Sequence, residues 1–66
     1  MNIQLNGQQY QAELDCTLSN LIESLGLERE GIAVAINGEV VPRANHENCR
    51  LRENDRVEII QAVGGG

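Results

Sequence analysis

At 66 residues the chain has room for one domain, and a domain so small buries only about 60% of the surface its unfolded chain exposes. Ten acids against five bases give a net charge of −5, every base is an arginine, and a single tyrosine is the only aromatic residue; a nucleic-acid binder would need a positive footprint and stacking surfaces that this chain lacks. With 41% hydrophobic and 23% charged residues, the composition is that of a folded globular domain and argues against disorder.

The first segment reads as a hairpin. Ile3 and Leu5 alternate with polar neighbours, Asn6-Gly7 follows, and Tyr10, Ala12 and Leu14 continue at period two. Asn-Gly suits a two-residue type I′ turn because both central positions need positive φ. A helix comes next. Leu18, Leu21, Ile22 and Leu25 make one apolar stripe at helical spacing, with Thr17 placed as N-cap and Asp15 near the positive end. Gly26 is placed to take the left-handed position after the helix, and Leu27 to fold back on it.

Ile32-Ala33-Val34-Ala35-Ile36 then alternates large and small apolar residues. Its large face is expected to pack on the helix, leaving a smooth alanine face on the other side of the sheet. A second Asn-Gly, Asn37-Gly38, turns this strand into Glu39-Val40-Val41, which Pro42 ends near a sheet edge. Residues 43–50 read as polar and irregular, with His46 exposed to solvent. Leu51 is expected to dip into the core, and Glu53-Asn54-Asp55 to turn the chain into a last strand running to Val63.

Strand, strand, helix, strand, short strand and last strand is an α+β order with one helix laid across one face of a sheet. If the last strand lies beside the first and parallel to it, the result is a β-grasp: a mixed sheet of four or five strands over residues 1–63. Gly64, Gly65 and Gly66 would then project as a flexible tail. A domain ending in a bare glycine carboxylate points to that carboxylate as a reactive group, since glycine alone fits a narrow channel in extended form. The competing reading is a frayed terminus.

Along the last strand Ile60 and Ala62 alternate with Val57 and Ile59. If Val57 and Ile59 face the helix, Ile60 lies on the open face beside Ala33 and Ala35. That makes a flat apolar patch near the tail, to be weighed against a partly covered sheet back. Arg43 is open to two roles, pairing with an acidic partner or anchoring a loop. Cys16 and Cys49 form no C-x-x-C pair, and His46 does not complete a zinc set with them, so no metal site is expected. Cys16 lies near the helix N-terminus, where a thiol pKa can fall, but a packing or surface thiol is the expected role of both cysteines. With no signal peptide, lipidation signal or long apolar run, the expected setting is cytoplasmic and away from membranes.

These residues carry a resemblance. A β-grasp order ending in Gly-Gly resembles the ubiquitin-like proteins. Within them, Val34-Ala35-Ile36-Asn37-Gly38-Glu39-Val40-Val41-Pro42-Arg43 is similar to the strand–turn–strand signature of the ThiS-type sulfur carriers of thiamine biosynthesis. Asp55-Arg56-Val57-Glu58-Ile59, the short length and the Val63-Gly64-Gly65-Gly66 tail are similar too. Gly64 departs from carriers that have another small residue there, and a third glycine only adds freedom.

The resemblance implies a consumed and regenerated cosubstrate rather than an enzyme. An E1-like, ThiF-type partner would use ATP to adenylate the Gly66 carboxylate, with Gly64 and Gly65 threading that partner's active site. A sulfur donor fed by a cysteine desulfurase would convert it to a thiocarboxylate, and thiazole synthase would take up the sulfur. Ile60, Ala62 and Arg43 are the residues assigned to partner binding, and no cofactor is expected on this chain. Two alternatives stay open: the small subunit of molybdopterin synthase, whose family usually runs longer and richer in aromatics, and a ubiquitin-like modifier or non-covalent interaction domain.

Overall fold

The computed structural model describes residues 1–28 and 30–61. The chain runs β1 (Asn2–Leu5), β2 (Gln8–Gln11), α1 (Leu18–Ser24), β3 (Ile32–Ile36), β4 (Glu39–Val41), a short 3-10 turn (Arg43–Asn45) and β5 (Arg56–Gln61). The strands form one sheet in the order β2-β1-β5-β3-β4. β1 and β5 run parallel and every other neighbouring pair is antiparallel. With α1 across one face, this is the β-grasp. Ala62, Val63 and the three glycines, and with them the proposed division of body from tail at residue 63, lie outside the described residues.

Both hairpins turn as their Asn-Gly pairs predict. Asn6 and Gly7 have φ of 50° and 81°, and Asn37 and Gly38 have 53° and 86°, the positive values a type I′ turn demands. The Leu5↔Gln8 and Ile36↔Glu39 pairs close two-residue loops.

Capping defines the helix at both ends. The Thr17 hydroxyl accepts the Asn20 N–H at 3.1 Å, and the Asn20 side chain accepts the Thr17 N–H at 3.2 Å, a reciprocal capping box. At the other end Gly26, at φ 72°, donates its N–H to Glu23 O and Leu27 donates to Ile22 O. That bond pair is a Schellman stop. Leu18, Leu21 and Ile22 are at most 1% exposed, against Ile3, Val34, Val57 and Ile59 from the sheet and Leu51 from the last loop. Fully burying such a side chain contributes about 1.5–3 kcal/mol.

Two expectations, for Leu14 and His46, are corrected. Leu14 does not continue the second strand: β2 ends at Gln11, Asp15 takes φ 60°, and Leu14 is left 80% exposed on the turn. The last strand is described to Gln61, and its expected continuation to Val63 lies outside the described residues. His46 is buried, not exposed. The 43–50 segment folds back over the helix start, where the His46 carbonyl accepts the Ser19 N–H at 3.1 Å and its ring Nε2 lies 3.1 Å from Val41 O. A Thr17↔Arg50 bridge, flanked by Leu18 N–H to Cys49 O and Leu51 N–H to Cys16 O, ties this segment down.

Candidate functional site

β5 is the central strand, and its sequence assigns its two faces. Val57 and Ile59 point to the helix and are 1% and 8% exposed, whereas Arg56, Glu58 and Ile60 are exposed on the opposite side. The register then sets Ile60 against Ala33 and Val40 against Ala35. Ile60 and Val40 are 66% and 74% exposed, so the expected open patch exists. Val40 belongs to it, although the residue pattern singled out only Ile60, Ala62 and the alanines. Counting residues across the Asn37-Gly38 turn, which pairs 36 with 39 and hence 35 with 40, is the signal that finds it.

Toward β1 and β2 the same face turns polar. Gln4 pairs with Arg56, and Gln9 pairs with Gln4. The apolar part is therefore confined to β5, β3 and β4. On this face Val40, Ala35, Ala33 and Ile60 adjoin one another, with Glu58 beside Ala35 on β5.

The antiparallel register also places Gln61 beside Ile32, at the end of the sheet where β3 begins. Arg43 is at this end too. Its guanidinium lies 3.9 Å from the Glu30 carboxylate just ahead of β3, both side chains being well exposed. Such a pair contributes little to stability, typically about 0–1 kcal/mol. Ala62, Gly64, Gly65 and Gly66 follow Gln61 in sequence and lie outside the described residues.

Two side-chain amides secure β5. At its start Asn37 Oδ1 accepts the Arg56 N–H at 3.0 Å, while Asn37 Nδ2 donates to Asp55 Oδ1 at 3.1 Å. Nearer its end Asn6 Oδ1 accepts the Ile59 N–H at 2.8 Å, and Asn6 Nδ2 donates to Ile59 O at 3.3 Å. Neither bridge was read from the sequence, where both asparagines were accounted for by their turns.

Both thiols are partly buried, as expected of packing thiols. Burial, and secondarily the Glu13 carboxylate, push the Cys16 thiol above its ordinary pKa, and its Sγ contacts Thr17 O at 3.3 Å. Burial and Asp55 push Cys49 the same way. A raised pKa lowers the thiolate fraction at neutral pH. Both are free thiols. Among the described residues no group of three or more His, Cys, Asp or Glu side chains could hold a metal ion, and no helix is long and apolar enough to cross a membrane. An open groove beside β4, lined in part by Ile36, Val41, Pro42 and Cys49, is bordered by Asn37 and Asp55 at the start of β5, away from Gln61.

The model of the ThiS family matches residues 3–66. Over its whole length the chain is 39% identical to a protein of Magnetococcus marinus named thiazole synthase, of which it spans only 20%. It is 32% identical over 66 residues to the Escherichia coli protein named sulfur carrier protein ThiS, with 100% of both chains covered. The crystal structure of the thiamine biosynthesis protein ThiS from Geobacter metallireducens is similar at a TM-score of 0.85 and 28% identity, again over 100% of both chains. The sequence match runs from residue 3 through the final glycine, and the chain belongs to the ThiS family.

Proposed function

We propose that this chain is a sulfur carrier for thiamine biosynthesis whose Gly66 carboxylate is activated, charged with sulfur and discharged into the thiazole ring. The observation that carries this reading is the family match, which runs past β5 to residue 66 and so includes all three glycines. The E. coli relative that matches end to end bears the name sulfur carrier protein.

The chemistry follows from the terminal group. An α-carboxyl has a pKa of about 3.3–3.7, so at neutral pH it is an anion and a poor acyl electrophile. Attack of a carboxylate oxygen on the α-phosphorus of ATP, with pyrophosphate leaving, turns it into an acyl adenylate. The terminal sulfur of the donor's persulfide then displaces AMP to give an acyl disulfide. A second thiol attacks the donor-side sulfur, forming a disulfide with the donor and releasing a thiocarboxylate that is softer and more nucleophilic than the carboxylate it replaces. The carrier supplies the acyl group and no catalytic side chain. An E1-like, ThiF-type adenylyltransferase supplies the ATP site, and a donor fed by a cysteine desulfurase supplies the sulfur. Gly64 and Gly65 thread the partner's channel, while Ile60, Ala62 and Arg43 contact its surface. Thiazole synthase is the acceptor, a pairing supported by the stretch similar to this whole chain within a protein of that name. The setting is the cytoplasm, where free thiols such as Cys16 and Cys49 persist.

Incubation with ATP, the ThiF-type enzyme and a sulfur source tests this by intact mass. The expected product is heavier by the exchange of one oxygen for one sulfur. A chain that stays unmodified while a known carrier is converted under the same conditions overturns the reading.

A further inference from the structure

We propose that Asn6 is a positioning residue for the C-terminal end of β5, fixing the root from which residues 62–66 depart toward an activating partner. The inference rests on the carrier reading above and adds to it a residue outside the tail and the open face.

The geometry is specific. Backbone pairing between β1 and β5 ends at Leu5↔Val57 because the chain turns away at Asn6-Gly7. The Asn6 N–H still donates to Val57 O at 2.9 Å. Beyond that point the side chain takes over: its amide offers the same donor and acceptor as a peptide group, and it engages both the N–H and the C=O of Ile59. The ladder is thus extended past the end of β1 on the flank away from β3. On the β3 flank, pairing continues to Ile32↔Gln61. Without Asn6, the last turn of strand before the tail is secured from β3 alone.

Asn37 is a built-in control. It occupies the same position of the same kind of turn, with φ of 53° against 50°, and likewise bridges to β5 through its amide. Its bond falls on Arg56, three residues before Ile59 and, at the rise of an extended strand, about 10 Å from it. The turns themselves require only positive φ, which glycine adopts freely. Asn6→Gly and Asn37→Gly therefore each keep a hairpin turn and delete one bridge to the same strand, one near the tail and one remote from it.

Preorganisation predicts where the two differ. A strand end left to fluctuate must be ordered when the partner binds, so Asn6→Gly raises the apparent KM for adenylation about tenfold. Once docked, the tail is held by the partner's channel, and kcat stays within about twofold of wild type. Asn37→Gly leaves both constants near wild type at a temperature well below either melting point. Asn6→Asp keeps the acceptor for the Ile59 N–H and loses the donor to Ile59 O, so its KM falls between wild type and Asn6→Gly. Should Asn6→Gly fail to fold, Asn6→Asp against Asn37→Gly decides the matter, with a raised KM expected in Asn6→Asp alone.

Equal KM values for the Asn6 and Asn37 variants, or an effect confined to kcat, remove Asn6 from this role and leave the carrier reading intact. If the wild-type chain itself is not adenylated, the carrier reading fails and the inference falls with it.

Discussion

The two faces of the sheet are built from the same strands yet obey different rules. On the helix side Ile3, Val34, Val57 and Ile59 are at most 8% exposed and lock against Leu18, Leu21 and Ile22. On the open side the neighbouring positions carry Ala33 and Ala35 with Val40 and Ile60, the last two 74% and 66% exposed. The alternation that gives β3 its large and small residues gives the molecule one face buried under the helix and one left open. Because β5 threads the middle of the sheet, both faces meet on the strand that precedes the glycines.

The largest effect is expected from breaking the covered face. Leu21→Asp places a carboxylate where the wild-type side chain is 1% exposed. Losing a buried leucine costs about 2–5 kcal/mol, and the desolvated polar group adds to that. A domain of this size has roughly 3–10 kcal/mol in total at 0.05–0.15 kcal/mol per residue. The variant should lose its cooperative thermal transition; a melting curve like that of wild type would contradict the assignment of the helix stripe.

The counterpart on the open face separates folding from docking. Ile60→Asp puts the same charge on an exposed site, where substitutions usually change stability by within about 0.5 kcal/mol. Its melting curve should be near wild type, while adenylation should weaken about 10- to 100-fold if Ile60 anchors the partner contact. Unchanged kinetics would place the interface elsewhere, and an unfolded variant would mean that the faces are reversed.

A smaller effect sharpens the boundary of the covered face at Cys16 and Cys49. Both thiols have pKa values raised by burial, with Glu13 and Asp55 adding to the effect. The unfolded chain therefore releases these protons at lower pH than the native one, so their contribution to stability is fully present below the unfolded pKa. It is lost as pH rises through the folded value. Alkylation of the native protein at mildly alkaline pH should accordingly be slower than for the urea-unfolded chain, and equal rates would show that neither thiol is shielded.

The same contrast explains what could be read from the residues. The helix declared itself through an apolar stripe with a cap at each end, and β3 through strict alternation. The parallel placement of β1 beside β5 followed because two hairpins and a helix needed a common partner. The first two are local or periodic signals, and the third is an argument from packing. His46 carries none: its burial comes from a loop folding back to Ser19 and Val41, contacts set by the fold of the whole chain. Leu14 fits the period of the strand before it, yet the turn at Asp15 leaves it in solvent. At Asn6 the turn chemistry hid a second role, since nothing in Asn-Gly announces which distant backbone the amide will meet. For Cys16, burial and the nearby Glu13 carboxylate, which raise the thiol pKa, come from packing that its place before the helix does not reveal.

The central claim, that Gly66 carries the sulfur, is tested most directly by locating that sulfur. Wild-type chain and a variant with one residue added after Gly66 are incubated with the ThiF-type enzyme, ATP and a sulfur source, and the C-terminal peptide is sequenced by mass spectrometry. The extra residue moves the carboxylate by about 3.3–3.6 Å, far more than catalytic placement tolerates. The account predicts one oxygen replaced by sulfur on Gly66 of the wild type and no modification of the extended chain. Sulfur on Cys16 or Cys49, or equal conversion of an extended chain that has not been trimmed, would contradict it.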